Sequence, residues 1–282
     1  MSDRHVHPAA LFGHQPAVPG GSSHAAAQAG WEIRDILVRQ SHREPRSVQR
    51  DPGPSELGVI CDRQVVAKMA GEAETGHTAD PWPSIVGLAL DAWLKQYFRN
   101  ENRLNGFDRW LTDIKVRPHP LYPGTLDLYD TVTYTVLDLK AQGASTAAKL
   151  RSGGPSPRYF NQVRLYAWGM RLAGYRVDRV SIVSLPRTKS FLSEIYVWDH
   201  ILTEADDLAV IELLQRTEAR RHAAQLVTSG QLPIGQVQRT PDGEECHFCD
   251  YFRVEAAHDG GPGCPGDRAP VTYPWPRAAP AA

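Results

Sequence analysis

Between Gly124 and Lys140 the chain reads GTLDLYDTVTYTVLDLK, and no other stretch constrains the fold as strongly. Apolar residues alternate on both sides of a short polar turn, the pattern of two neighbouring strands with a face in a core. Residues i and i+2 share a face of a strand, so Asp138 and Lys140 point one way and Leu139 the other. Asp127 lies on the preceding strand, and pairing of the two strands brings Asp127 and Asp138 to one end of the sheet. Two close carboxylates repel unless a cation stands between them. Hard oxygen ligands with an open shell suit Mg2+ or Mn2+. An ion held there polarises a phosphate oxygen and acidifies a bound water. Lys140 beside it can stabilise developing negative charge, or orient and help deprotonate the water. The bland alternative is a salt bridge on a solvated sheet face.

The surroundings supply elements for an α/β plan. A helix is expected from Ser55 toward Met69 and another over Ile85–Phe98, the latter with apolar residues at helical spacing. A strand is expected over Ile114–Pro118. The segment 143–157, GASTAAKLRSGGPSP, reads as a long mobile loop by composition. A helix from Arg158 to about Leu172 follows, then strands in VDRVSIVSLP and SEIYVW, then a long helix over Thr203–Val227. The fold class expected is α/β, with a central mixed sheet and helices on both faces. Residues 1–53 are expected to be a disordered leader with a short helix near Trp31–Arg39. Residues 54–265 form the main domain, and 266–282 a flexible tail. No apolar run reaches the ~20 residues of a membrane helix. No apolar signal core is seen at the start, so a cytoplasmic location without membrane contact is expected.

Gln162 and Tyr166 lie one turn apart on the 158–172 helix, so they stack along one face. Gln162 can hydrogen-bond a phosphate or a water, whereas Tyr166 suits packing as well as chemistry. The net charge of the chain is −1, yet the stretch 138–176 holds seven basic residues against the one acid Asp138. Among them Lys149, Arg151, Arg158 and Arg164 are candidates for phosphate contacts. Cys61, Cys246, Cys249 and Cys264 are the four cysteines of the chain. A C-x-x-C pair plus two further cysteines supplies one complete four-thiolate site, for zinc or for an iron–sulfur cluster.

GTLDLYD, VLDLK and YFNQVRLYAWGM together resemble the motifs of RecB-type exonucleases of the PD-(D/E)XK nuclease superfamily. The likeness is closest to the iron–sulfur-containing phage and CRISPR-associated members, and spans roughly residues 54–265. It implies a restriction-endonuclease-like fold and metal-dependent hydrolysis of DNA, single-stranded or at ends, in recombination or repair with partner proteins. Asp127, Asp138 and the Leu139 carbonyl would hold the metal, with Lys140 and Gln162 acting beside it and Tyr166 in the same motif. The resemblance also implies a [4Fe–4S] cluster on the four cysteines that joins an N-terminal to a C-terminal subregion, with Zn2+ as the alternative. One departure stands out. Such nucleases carry a histidine four residues after a helical glycine, and here Gly87 is followed by Asp91. Asp91 is a further candidate ligand or an exposed helix residue. Loss of that histidine leaves open a catalytically weak DNA-binding accessory.

Overall fold

The computed structural model describes residues 24–43, 51–75, 81–188, 191–240, 246, 248–253, 256 and 262–266. The chain divides into two units, Met1–Gln49 and Arg50–Ala282. The first contributes one described helix, α1 (His24–Arg43), longer than the Trp31–Arg39 helix expected. Residues 1–23 and 44–50 of the leader and the tail from residue 267 onward lie outside the described residues.

The second unit runs α2 (Pro54–Leu57), α3 (Asp62–Ala70), α4 (Trp82–Asn105), β1 (Trp110–Val116), β2 (Gly124–Asp130), β3 (Thr135–Gln142), α5 (Ala144–Gly153), α6 (Pro157–Leu172), β4 (Arg179–Pro186), β5 (Tyr196–Ile201) and α7 (Glu204–Thr228). The strands form one sheet in the order β1-β2-β3-β4-β5. The β3–β4 pair is parallel and the others antiparallel. This is the mixed α/β sheet expected. A parallel pair needs a crossover, and α5 and α6 supply it. Helix α4 packs on β1 to β3, and α6 on β1, β3 and β4. Leu126, Tyr129, Val136, Val163, Met170, Val180 and Ile182 form the centre of the core. Among the described residues no helix is long and apolar enough to cross a membrane.

Two expectations need correction. The stretch 143–157 is no open loop, because α5 occupies most of it. Glycines flank a run of good helix formers, and Ala147 and Leu150 bury one side of it. The helix expected from Ser55 to Met69 is broken into α2 and α3, with Cys61 as the residue capping α3. Gly58 lies in the break, and a Cβ there would come 2.7 Å from the Arg158 carbonyl oxygen. The close approach of this segment to α6 therefore needs glycine. Asn161 and Arg158 of α6 then donate to the carbonyls of Gly58 and Ser55.

Candidate active site

The hairpin pairing of β2 and β3 runs from Asp130–Thr135 to Leu128–Leu137 and stops there. One residue further along β2, a side chain replaces the backbone acceptor: the Leu139 N–H donates to Asp127 Oδ2 at 3.0 Å. The strands part at the acidic residues, and Asp127 comes to lie beside Leu139 and the adjacent Asp138. The other end of the hairpin is pinned by buried Asp130. It accepts from Val132 N–H and the Thr133 hydroxyl and takes both arms of Arg109. Burial alone would raise the Asp130 pKa, but these bonds overcome it and hold the carboxyl below the usual range.

Asp138 is fully buried. Lys140 Nζ stands 2.6 Å from its Oδ2, and Gln162 Nε2 donates to its Oδ1 at 3.1 Å. Gln162 also reaches the Tyr166 hydroxyl at 3.4 Å. Tyr166 belongs to the core cluster, so its ring packs while its hydroxyl meets the polar network. The Lys140 ammonium lies 5.3 Å from the centre of the Tyr159 ring. Helix α6 begins here because Ser156 accepts from the Tyr159 N–H as its cap and Pro157 suits its first position. The structure thus brings Asp138, Lys140, Gln162 and Tyr166 into one network, with Asp127 beside it on β2.

Asp91 approaches from α4, and two residues that carried no sequence motif come with it. Lys95, 6% exposed, places Nζ 2.6 Å from Asp91 Oδ2, 2.8 Å from Asp113 Oδ1 and 3.4 Å from Asp127 Oδ1. Asp113 sits in β1 with φ +56°, a left-handed backbone that aspartate tolerates better than most residues. Its other oxygen takes Arg99. Burial would lower the Lys95 pKa, but bonds to Asp113 and Asp91 and the charge of Asp127 overcome it and raise it. Burial and the neighbouring Asp127 and Asp113 push Asp91 up, against the pull of Lys95. Asp91 Oδ1 is buried with no hydrogen-bond partner among the described residues. Sequence spacing could have flagged Lys95, which is i+4 from Asp91. Nothing in the sequence flags Asp113, whose role depends on the fold of β1.

The basic residues are scattered. Arg164 pairs with Asp206 at 2.6 Å and lies 3.5 Å from the centre of the Phe160 ring. Arg151 donates to the Glu194 carbonyl at 2.7 Å. Arg158 donates to the Ser55 carbonyl at 3.1 Å. Arg171 and Arg176 pair with Asp207 and Asp178. Lys149 is exposed on α5. Three of the seven basic residues of 138–176 thus pair with acids from outside the stretch.

The four cysteines line a single pocket away from this network, and none is in a disulfide. Cys61 arrives from the break before α3. The others arrive from the tail, where Phe252 and Cys264 form a parallel bridge. Arg63 ties the two segments together: it donates to the Val237 carbonyl at 2.9 Å and reaches Cys264 Sγ at 3.8 Å. Burial foremost, with Cys61 and Cys246 close by, pushes the Cys249 thiol up to about 12. Among the described residues no group of three or more His, Cys, Asp or Glu side chains is arranged to hold a metal ion. That holds for the thiols as for the carboxylates, which are drawn instead onto Lys95 and Lys140. An iron–sulfur subregion is thus not indicated by the arrangement of these side chains.

No protein-family model matches the chain, and no curated protein matches it. Among solved structures it is similar to LHK-Exo in complex with dAMP, at 12% identity and TM-score 0.44, over 64% of this chain and 93% of that one. It is similar to an alkaline exonuclease (LHK-Exo) from Laribacter hongkongensis at 10% identity and TM-score 0.45, over 64% and 93%. A phage-related exonuclease from Haemophilus somnus 129PT aligns at 10% identity and TM-score 0.37, over 74% and 90%.

Proposed function

We propose that the chain is a metal-dependent deoxyribonuclease of the RecB-like PD-(D/E)XK type, an exonuclease acting in DNA recombination or processing. One observation carries the reading. At the point where β2 and β3 part, Asp127 accepts the Leu139 N–H while the neighbouring Asp138 is fully buried between Lys140 and Gln162. A fully buried carboxylate is costly, and a protein that only packed or bound DNA would gain little by keeping one there.

Asp127, Asp138 and the Leu139 carbonyl would hold Mg2+ or Mn2+, with Asp91 at the margin. The donor set fits a hard cation, since it is oxygen throughout, and Asp91 presents a buried oxygen without a hydrogen-bond partner among the described residues. When bound, such an ion supplies Lewis-acid polarisation of a phosphate and a more acidic water. The remaining tasks fall to the chain. Lys140, held by Asp138 and close to the Tyr159 ring, orients the attacking water and offsets charge on the phosphate oxygens. Gln162 fixes the Asp138 rotamer through Oδ1, and the Tyr166 hydroxyl anchors Gln162 in turn. Lys149 on α5, which directly follows β3, is the exposed cation nearest in sequence for a DNA backbone contact.

The four cysteines support a structural metal, a [4Fe–4S] cluster or Zn2+, that staples the tail to the segment before α3. Their donor chemistry fits, and all four line one pocket. A second reading, a DNA-binding accessory with weak hydrolysis, is favoured by Lys95, which already neutralises Asp91 and Asp127.

The test is a gel assay on end-labelled single- and double-stranded DNA with anaerobically purified protein, in Mg2+, Mn2+ or EDTA. Elemental analysis of iron and zinc is run on the same preparation. Cleavage that needs the ion and drops by at least ~10²-fold in both Lys140→Ala and Asp138→Ala supports the nuclease. DNA binding without cleavage under any ion supports the accessory. A chain that holds neither iron nor zinc would refute the staple.

A further inference from the structure

We propose that Lys95 is a resident cation of the acidic site: its ammonium occupies the place a second divalent ion would otherwise take, so the chain binds one catalytic ion and not two. The inference rests on the nuclease reading above and goes beyond it, because it assigns Lys95, Arg99 and Asp113, which no motif marks.

The geometry is that of a coordination centre with an ammonium in it. Asp91, Asp113 and Asp127 come from a helix and two strands, and their oxygens meet at Lys95 Nζ. A lysine ammonium is a compact point charge on a flexible stem, able to sit among oxygens as a metal ion does. Without it the three carboxylates would repel one another, and without them the buried ammonium would be stranded. Asp91, Lys95 and Arg99 follow one another at intervals of four along α4, so a single helix face delivers an acid and two cations to Asp113 and Asp127 in the middle of β1 and β2. Arg99 donates to the Thr112 hydroxyl at 2.9 Å and pairs with Asp113, which locks Asp113 toward Lys95. The left-handed backbone at Asp113 is the local expense of that aim.

Charge counting leads to the same stoichiometry. Asp91, Asp113, Asp127 and Asp138 carry four negative charges, and Lys95, Arg99 and Lys140 carry three positive ones. One divalent ion and one phosphodiester bring this set to neutrality. A second divalent ion beside Lys95 would leave two uncompensated positive charges in a partly buried site, an arrangement that low dielectric penalises.

The test counts Mn2+ directly. The full chain is titrated with MnCl2 by calorimetry, and free Mn2+ is followed by electron paramagnetic resonance. Only ions lost in an Asp127→Ala/Asp138→Ala double variant are counted, which removes any uptake by the cysteine pocket. The expected result is one such ion per wild-type chain, one in Lys95→Arg, and two in Lys95→Met. Two ions in wild type, or one in a folded Lys95→Met, would overturn the proposal and leave the nuclease reading standing. No ion at all that depends on Asp127 and Asp138 would instead bring down the nuclease reading itself. Should Lys95→Met fail to fold alone, its melting is followed with Mn2+. Recovery of folding by the ion supports the proposal. Failure to recover shows that a divalent ion cannot take the ammonium's place, and refutes it.

Discussion

Arg220 on α7 is 2% exposed, and all of its hydrogen-bonding arms reach the segment that carries Cys61. Nη1 donates to the Leu57 carbonyl at 3.0 Å, Nη2 to the Val59 carbonyl at 2.7 Å, and Nε to Asp62 Oδ1 at 2.7 Å. The substitution Arg220→Met keeps an unbranched apolar stem and removes these bonds. Leu57 and Val59 are themselves buried, so two carbonyls lose their partners away from water. Each charge-assisted bond to a buried acceptor is worth about 1.5–3 kcal/mol. Asp62 keeps Arg216, whose Nε lies 2.7 Å from the same oxygen, so the carboxylate is not stranded. The apolar methionine returns about 1.5–2 kcal/mol by burial. The net expectation is a loss of about 2–4 kcal/mol, a large share of the ~5–15 kcal/mol that holds a typical domain together. Urea denaturation followed by circular dichroism measures it, with Arg216→Met as the internal reference. The Arg216 side chain is 42% exposed, so its replacement should shift stability by no more than about 1 kcal/mol. A loss in Arg220→Met no greater than in Arg216→Met would refute the view that α7 grips this segment through a buried guanidinium. Alkylation of Cys61 should also quicken in Arg220→Met, because the loop holding it loosens.

Asp206 caps α7: it accepts from Thr203 N–H and hydroxyl, faces His200 and pairs with Arg164. Burial alone would raise its pKa, but these bonds overcome it and set the folded carboxyl well below the usual 3.8. A depressed folded pKa gives stability that is complete above the unfolded value and lost as pH falls toward the folded one. Melting temperatures of wild type measured from pH 6 to pH 3 should therefore fall below about pH 4, and the slope should be shallower in Asp206→Asn. Equal slopes would contradict the assignment. Gly124→Ala should destabilise by about 1–3 kcal/mol through overpacking. Its Cβ would lie 2.5 Å from Pro54 Cγ and 3.0 Å from Tyr166 Cε1. A urea midpoint equal to or above wild type would show that this contact relaxes freely.

Local pattern was enough for the elements nearest the chemistry. Alternation located β2 and β3, and the face-sharing of Asp138 and Lys140 followed from the geometry of any strand. The i, i+4 spacing put Gln162 and Tyr166 on one helix face, where they do share a hydrogen bond. These inferences hold because periodicity is a property of the backbone and needs no knowledge of neighbours. Composition misled at 143–157, where glycine and proline at the borders hid the helix formers between them. Seven basic residues fall within 138–176, and three of them, Arg164, Arg171 and Arg176, pair with Asp206, Asp207 and Asp178 from outside the stretch. Alternation and residue identity define the strand pair, the helix behind it and the acid and lysine types that the two strands carry. Lys95 stands among Asp91, Asp113 and Asp127 through the packing of elements distant in the chain. That meeting depends on the register of β1 against β2, the left-handed turn at Asp113 and the docking of α4. Electrostatic partnership is set by distance through space, and distance along the chain does not encode it.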